Sequence, residues 1–245
     1  MSFNVEILAA GFGTRLNEFG KQYPKGLIPY KETTLLGRMF SGLEKSGGNF
    51  DIALITNNRF FPAYSEYLAK NYSHLNVKLI NNGVDAPEKR LGALGDLKLA
   101  LDQLNWWTGR DLLVLPSDTF FTFPITGLFS FYQKHQGMTT VFNRIDKSLI
   151  KNRLGCGILD GDRVVGFVEK PENPPSNFAA VPLYIYPKNL LPELKRYVDM
   201  GKNIDSPGQI IPWLIEKGIP VWGYTYQGEY LDVGKVEDVE TLKNL

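Results

Sequence analysis

The sequence predicts an α/β fold: a mostly parallel sheet flanked by helices, with a small antiparallel lobe. Three observations predict it. A short apolar run, Phe3 to Leu8, passes at once into a glycine loop, Leu8-Ala9-Ala10-Gly11-Phe12-Gly13-Thr14-Arg15-Leu16, and a helical pattern begins at Leu35. Asp51 to Thr56 (DIALIT) and Asp111 to Leu115 (DLLVL) are continuous apolar runs, the pattern of strands covered on both faces. Strands and helices alternate through the first half, whereas the second half turns to short strands separated by turn residues.

The elements follow in order. After the proline-punctuated stretch Tyr23 to Tyr30, Thr33 or Thr34 can cap a helix in which Leu35, Leu36, Met39, Phe40 and Leu43 recur at helical spacing, and Gly47-Gly48 ends it. Phe60 to Asn71 reads as a helix with Tyr64, Tyr67 and Leu68 on one side, and Asn76 to Asn81 as a strand. Leu91 to Leu101 opens with Gly92 and Gly95 and runs on as a helix to about Leu104. Those glycines either present backbone donors to a ligand or permit close helix packing.

The DLLVL strand ends at Pro116-Ser117-Asp118-Thr119, so Asp118 lies at a strand's carboxyl edge like Gly11, where open α/β sheets bind ligands. Thr139 to Asn143, Gly155 to Leu159, Val164 to Glu169 and Ala179 to Tyr186 are short strands, with a turn at Asp160-Gly161-Asp162. Leu190 to Val198 and Ser206 to Lys217 are helical, the latter with Ser206 as cap and Pro207 at the first position. Val221 to Tyr226 is a strand, and Glu229 to Gly234 leads into a closing helix from Lys235 to about Lys243. Cys156 and the pair Trp106-Trp107 read as packing residues.

Composition narrows the class. The 245 residues are 43% apolar, and 27 basic against 26 acidic side chains leave a net charge of +1. That balance argues against nucleic-acid or membrane-surface binding by bulk electrostatics, so local basic residues must carry any anion binding. The single cysteine excludes an intramolecular disulfide and a cysteine zinc cluster, and the separated His74 and His135 do not suggest a metal site. The N-terminal apolar run lacks a basic lead-in and no stretch approaches the ~20 apolar residues of a membrane span, so a cytoplasmic protein is expected.

The glycine loop carries the chemistry. Small residues at Ala9, Ala10, Gly11 and Gly13 keep few side chains in the way of a ligand, and successive N–H groups can turn toward an anion. Arg15 adds a planar, permanently charged fork of donors. The dinucleotide fingerprint requires a glycine where Leu16 stands and an acidic residue where Thr56-Asn57-Asn58 stands, which sets back a nicotinamide-dependent oxidoreductase. No Gly-Lys-Ser/Thr follows, so the loop is not a P-loop. Taken alone it could be an ordinary strand-to-helix turn, and Glu169-Lys170 a surface ion pair.

Six stretches taken together resemble the sugar-1-phosphate nucleotidyltransferase family: LAAGFGTRL (Leu8 to Leu16), PKGLIP (Pro24 to Pro29), LGALGDLKLA (Leu91 to Ala100), LVLPSD (Leu113 to Asp118), FVEKP (Phe167 to Pro171) and YLDVGKVEDV (Tyr230 to Val239). They stand in the family's order over nearly the whole chain. The resemblance implies a Rossmann-like domain of residues 1–245, with a nucleotide-binding part at 1–136 and a sugar-phosphate-binding part at 137–245. It implies a reaction joining a nucleoside triphosphate to a sugar 1-phosphate with release of pyrophosphate, no nucleic-acid or membrane partner, and it allows for a homo-oligomer.

Carried over by position, Leu8, Ala9, Ala10, Gly11, Gly13 and Thr14 would hold the nucleotide, with Gly92 against its base. Arg15 would lie on the phosphates and Lys25 near the leaving pyrophosphate. Asp118 and Asp232 would share a Mg²⁺, and Glu169 and Lys170 would hold the sugar phosphate with Gly157 beside them. Arg15, Lys25, Asp118 and Lys170 are thus the expected catalytic residues.

The chemistry suits those residue types independently. A sugar phosphate has its second pKa near ~6, so at neutral pH it is already an oxyanion and needs neither general base nor protein nucleophile. The reaction needs in-line placement of two polyanions and stabilisation of charge on the leaving pyrophosphate, which a hard cation on two carboxylates and several fixed cations supply.

Departures from the family pattern leave the substrate open. Gly26 follows Lys25 where proline is usual, Asp96 stands where a small residue is common, Ala180-Val181-Pro182 replaces an Asn-Ala-Gly, and Tyr230 replaces a tryptophan. Two alternatives therefore accompany the main reading: a non-catalytic nucleotide-sugar-binding regulatory module, and a nucleotidyltransferase for a non-sugar phosphate. No hexapeptide repeat of an attached acyltransferase is present, so a chain of the catalytic domain alone is expected.

Overall fold

The structure, a computed structural model, describes residues 1–16, 20, 23–104 and 109–245. Its strands are β1 (Ser2–Ala9), β2 (Pro29–Tyr30), β3 (Thr33–Thr34), β4 (Asn49–Thr56), β5 (Val77–Asn81), β6 (Asp111–Pro116), β7 (Thr119–Phe121), β8 (Met138–Arg144), β9 (Cys156–Asp160), β10 (Arg163–Val168), β11 (Phe178–Tyr186), β12 (Val221–Tyr226) and β13 (Tyr230–Asp232). A 9-stranded sheet has the order β5-β4-β1-β6-β11-β8-β12-β10-β9. Strands β5, β4, β1 and β6 are parallel neighbours, as the continuous apolar runs predicted. Strand β11 runs antiparallel to both β6 and β8, and β12 is parallel to β8. Antiparallel pairing continues with β10 on β12 and the β9–β10 hairpin, which curls back so that β9 also pairs with β11.

Burial explains why the runs are apolar throughout. Along β6, Leu113 and Leu115 face one side with Val5 and Ile7 of β1, against the helices Leu35–Lys45, Phe61–Asn71 and Ile125–His135. Leu112 and Val114 face the other, against the helices Ala93–Gln103, Leu191–Asp199 and Ile210–Glu216. These four β6 side chains are fully buried, and each such burial contributes about 1.5–3 kcal/mol. Thr34 caps its helix by accepting from the Gly37 N–H at 3.0 Å, as its position predicted.

Other details follow tertiary contacts. The helix Ile125–His135, which the element reading omits, buries Leu128, Phe129 and Tyr132 on one face. Ser206 does not cap with its side chain: its hydroxyl donates to Glu169 Oε1 at 3.1 Å, and a short 3₁₀ turn, Pro207–Gln209, precedes the helix. Ala180-Val181-Pro182 lies within β11, where the ladder to β8 shifts register between Val181 and Tyr184. A proline without an N–H is accommodated at such an irregularity. Cys156 is buried with Ile150 and Ala179, consistent with packing. Trp106 and Trp107 lie outside the described residues.

A separate small core closes the carboxyl edge of the sheet. Leu16 and Ile28 from the first unit, Phe120 from β7, and Val233, Val239 and Leu242 from the closing segment bury one another. The closing segment is thereby folded back onto the first loop. Among the described residues no helix is long and apolar enough to cross a membrane.

Candidate active site

The glycine loop leaves β1 with its carbonyls tied to the neighbouring strand ends. Ser117 N–H donates to Leu8 O at 2.9 Å, Thr56 Oγ1 to Ala9 O at 3.1 Å, and Asn57 Nδ2 to Ala10 O at 2.9 Å. Asn57 is fully buried, and its Oδ1 in turn accepts from the Phe60 N–H at 3.0 Å. Beyond this anchored strip, Gly13 takes a φ of +63°, which a side chain disfavours. At Gly11 an added Cβ would meet none of the described residues within 4 Å, so packing against them does not demand glycine there. The space in front of Gly11 belongs to a pocket of about 200 Å³ lined by Ala10 to Arg15, Lys25, Pro87, Arg90 and Gly234.

Lys25, in the 3₁₀ turn Lys25–Leu27, donates from Nζ to Asp118 Oδ2 at 2.7 Å. Pairing of β13 with β7 sets Asp232 opposite Thr119, and Val233 N–H donates to Asp118 O at 3.1 Å. The turn after Asp232 is held by Asp238, whose Oδ2 accepts from the N–H groups of Gly234 and Lys235 at 3.0 and 2.9 Å. Burial, with the Asp118 charge adding to it, pushes the Asp232 carboxyl up to about 6 against the pull of Lys25 and Arg15. Burial opposes the Lys25 ammonium, but the charges of Asp118 and Asp232 and the hydrogen bond to Asp118 outweigh it, so its pKa lies above the ordinary lysine value.

Residues far apart in sequence are therefore assembled as a cationic group, an acid pair and a backbone cradle. Arg15, Lys25, Asp118 and Asp232 come together with the glycine loop. The acid pair suits a hard divalent cation. A bound cation would offset the burial and the Asp118 charge that raise the Asp232 carboxyl, and Mg²⁺ ordinarily takes one or two carboxylates with water and substrate phosphates rather than a full protein cage.

The other expected residues, Glu169, Lys170, Gly157 and Gly92, are not among the residues that line this pocket. Glu169 Oε1 accepts from Ser206 and lies 3.7 Å from Lys170 Nζ, with Lys170 itself at a φ of +48°. A Cβ on Gly155 would come within 3.3 Å of Glu169 Oε2, so Gly155 faces that carboxylate. Gly157 instead lies against the Phe142 ring, 2.3 Å from an added Cβ, and its carbonyl accepts from Ser176. Gly92 has a φ of +79°, and a Cβ there would lie 2.6 Å from Ile204 O. The N–H groups of Ala93 and Leu94 donate to Asp205 O and Ile204 O at 3.3 and 3.0 Å, so this helix start is occupied by the chain's own carbonyls.

Asp96 does not line the pocket. It is buried, Asn82 Nδ2 donates to its Oδ1 at 2.8 Å, and its charge acts on Glu6 of β1. Sequence reasoning missed Thr56, Asn57, Ser117 and Tyr64, whose roles exist only through contacts across strands. It also missed Arg90, which lines the pocket and is held by Asp205 through two hydrogen bonds, at 3.3 and 3.0 Å.

Fold and site define a class: a doubly covered α/β sheet with a glycine cradle, a lysine and an acid pair at its carboxyl edge. The sequence profile of the family described as nucleotidyl transferase matches residues 5–244, and the chain belongs to that family. It is 24% identical over 241 residues to a UTP–glucose-1-phosphate uridylyltransferase of Synechocystis sp., covering 95% of this chain and 60% of that protein. It is 27% identical over 234 residues to the mannose-1-phosphate guanylyltransferase catalytic subunit beta of Dictyostelium discoideum, covering 95% and 61%. The chain thus spans about 60% of the length of these curated relatives. The crystal structure of a UDP-glucose pyrophosphorylase complexed with UDP-glucose shares the fold, with a TM-score of 0.81 at 18% identity over 100% of this chain and 98% of that one.

Proposed function

We propose that this chain joins a nucleoside triphosphate to a sugar 1-phosphate, giving a nucleoside diphosphate sugar and pyrophosphate. The observation that carries the reading is the Lys25–Asp118 contact of 2.7 Å beside Asp232, at the mouth of a glycine cradle. The family relationship supports it, and the relatives' names, one a uridylyl- and one a guanylyltransferase, leave the base undecided.

The backbone of Leu8 to Thr14 would bind the triphosphate, anchored from behind by Thr56, Asn57 and Ser117. An oxygen of the sugar phosphate attacks the α-phosphorus as the bond to the pyrophosphate breaks, and the electron pair leaves with the pyrophosphate. Arg15 and Lys25 stabilise that departing charge. Asp118 and Asp232 would hold the divalent cation, Mg²⁺ in our reading, which supplies further charge neutralisation when bound. Glu169 and Lys170, with Gly155 against the Glu169 carboxylate, would hold the sugar phosphate in line. Asp96 is buried and absent from the pocket lining, which removes one objection to a polyanion in the cradle. We place the protein in the cytoplasm, without nucleic-acid or membrane partners.

The test is pyrophosphate release with Mg²⁺, screening nucleoside triphosphates against sugar 1-phosphates and phospho-alcohols, with Asp118→Asn and Arg15→Ala alongside. Turnover with a sugar 1-phosphate that both variants lose supports the reading. A nucleotide sugar that binds without turnover of any pair transfers it to the regulatory alternative, and turnover with a phospho-alcohol alone changes the second substrate.

A further inference from the structure

Tyr64 projects from the helix Phe61–Asn71 of the second βα unit, which lends no residue to the pocket lining. It is 0% exposed, yet its hydroxyl lies at the junction of the two loops that carry the lysine and the aspartate. The Gly26 N–H donates to Tyr64 Oη at 3.3 Å, and the Ser117 side chain lies beside the same Gly26 position, where its hydroxyl interacts with the phenol. Gly26 follows Lys25 and Ser117 precedes Asp118, so one phenol joins the neighbours of both ends of the 2.7 Å ion pair.

The fit at Gly26 is tight. An added Cβ would lie 2.8 Å from Tyr64 Oη and 3.0 Å from Ser117 Cβ. A side chain at 26 would push the hydroxyl off its partners, and a proline would also remove the N–H that Tyr64 receives. Glycine at 26 and tyrosine at 64 therefore answer one another. The departure at Gly26 that the sequence left unexplained acquires a physical reason.

We propose that Tyr64 is a positioning residue that sets Lys25 and Asp118 relative to each other, acting through Gly26 and Ser117. The lysine stem is long and flexible, and its ammonium reaches a fixed place only if both backbone anchors are fixed. This rests on the reading of Lys25 as the stabiliser of the leaving pyrophosphate. A displacement of about 1 Å at such a group can slow the reaction on the order of 100-fold while leaving substrate binding to the cradle in place.

The test compares wild type, Tyr64→Phe, Gly26→Ala, Lys25→Ala and the double variant Tyr64→Phe/Lys25→Ala, recording kcat, both KM values and the unfolding midpoint. Tyr64→Phe keeps the ring in the core and removes only the hydroxyl. It is expected to lower kcat roughly 10- to 100-fold with both KM values within about twofold, and Gly26→Ala is expected to lower kcat in the same direction. In the Lys25→Ala background Tyr64→Phe should change kcat by less than about twofold, because the group it positions is gone. A Tyr64→Phe enzyme with wild-type kcat, or a loss of equal size in both backgrounds, overturns the proposal and leaves Tyr64 as core packing. Absence of turnover by the wild type on every substrate pair overturns the functional reading and this proposal with it.

Discussion

Lys25 Nζ and Asp118 Oδ2 meet at 2.7 Å although the two residues stand 93 positions apart in the chain. Their side chains are 15% and 20% exposed, so the pair is shielded from much of the screening that weakens surface ion pairs. Asp232 is close enough to raise the lysine's affinity for its proton, and Lys25 in turn restrains the rise of Asp232. Lys25→Ala and Asp118→Asn are each expected to slow pyrophosphate release by roughly 10²–10³, the effect of deleting one fixed charge-stabilising group. The double variant should lose less than the product of the single losses, since the two groups act through one contact. Steady-state rates of the three proteins check this.

Asn57 is the hinge pin of the cradle. Asn57→Asp keeps the acceptor for Phe60 N–H but sets a carboxylate oxygen against the Ala10 carbonyl, 2.9 Å away in the native arrangement. A donor lost at a fully buried site costs about 1–3 kcal/mol. We expect a lower unfolding midpoint and nucleoside triphosphate binding weakened about tenfold, read by denaturant titration and calorimetry.

Asp96 makes stability depend on pH with a defined sign. Burial raises its carboxyl from the ordinary 3.8 to about 6, and the hydrogen bond from Asn82 only partly offsets that. Between those values the folded chain holds a proton that the unfolded chain has released, so stability is greatest below about pH 4 and falls as the pH rises to about 6. The displacement corresponds to roughly 2–3 kcal/mol. Asp96→Asn, which preserves the acceptor for Asn82, should abolish this contribution. Urea unfolding at pH 4.5 and 7.5 should show the variant gaining on the wild type by about that amount at the higher pH.

Gly92 tests the packing of the second glycine-rich turn. Its φ of +79° and the 2.6 Å approach of Ile204 O leave no place for a methyl group. Gly92→Ala is expected to destabilise the fold by about 2 kcal/mol or more. It should also loosen the Ile204–Asp205 segment that holds Arg90 at the pocket rim. Thermal unfolding measures the first effect and nucleotide affinity the second.

Much of the fold was legible because it is written in local periodicity. Continuous apolar runs announced β4 and β6, helical spacing after Thr34 announced the first helix, and the glycine loop after β1 announced a ligand-facing turn. Asp118 could be placed because a strand's end is visible in sequence and the ligand edge of an α/β sheet is a general rule. The surroundings of Gly157, expected beside Glu169 and Lys170, were not legible. Its place depends on what packs against it from other strands, here the Phe142 ring. The direction in which Asp96 points was hidden for the same reason.

By itself the sequence determined the α/β class, the position of the glycine loop and the residue types that the proposed phosphate site would use, because those depend on neighbours along the chain. The tertiary structure alone decided which carbonyls Thr56, Asn57 and Ser117 hold, that β13 brings Asp232 beside Asp118, and that Tyr64 joins the loops of Lys25 and Asp118. These contacts join separate elements, and they form only when burial of Leu16, Ile28, Phe120, Val233, Val239 and Leu242 folds the closing segment onto the first loop. The physical reason is that a hydrogen bond or an ion pair fixes geometry only between groups that apolar packing has already brought within reach.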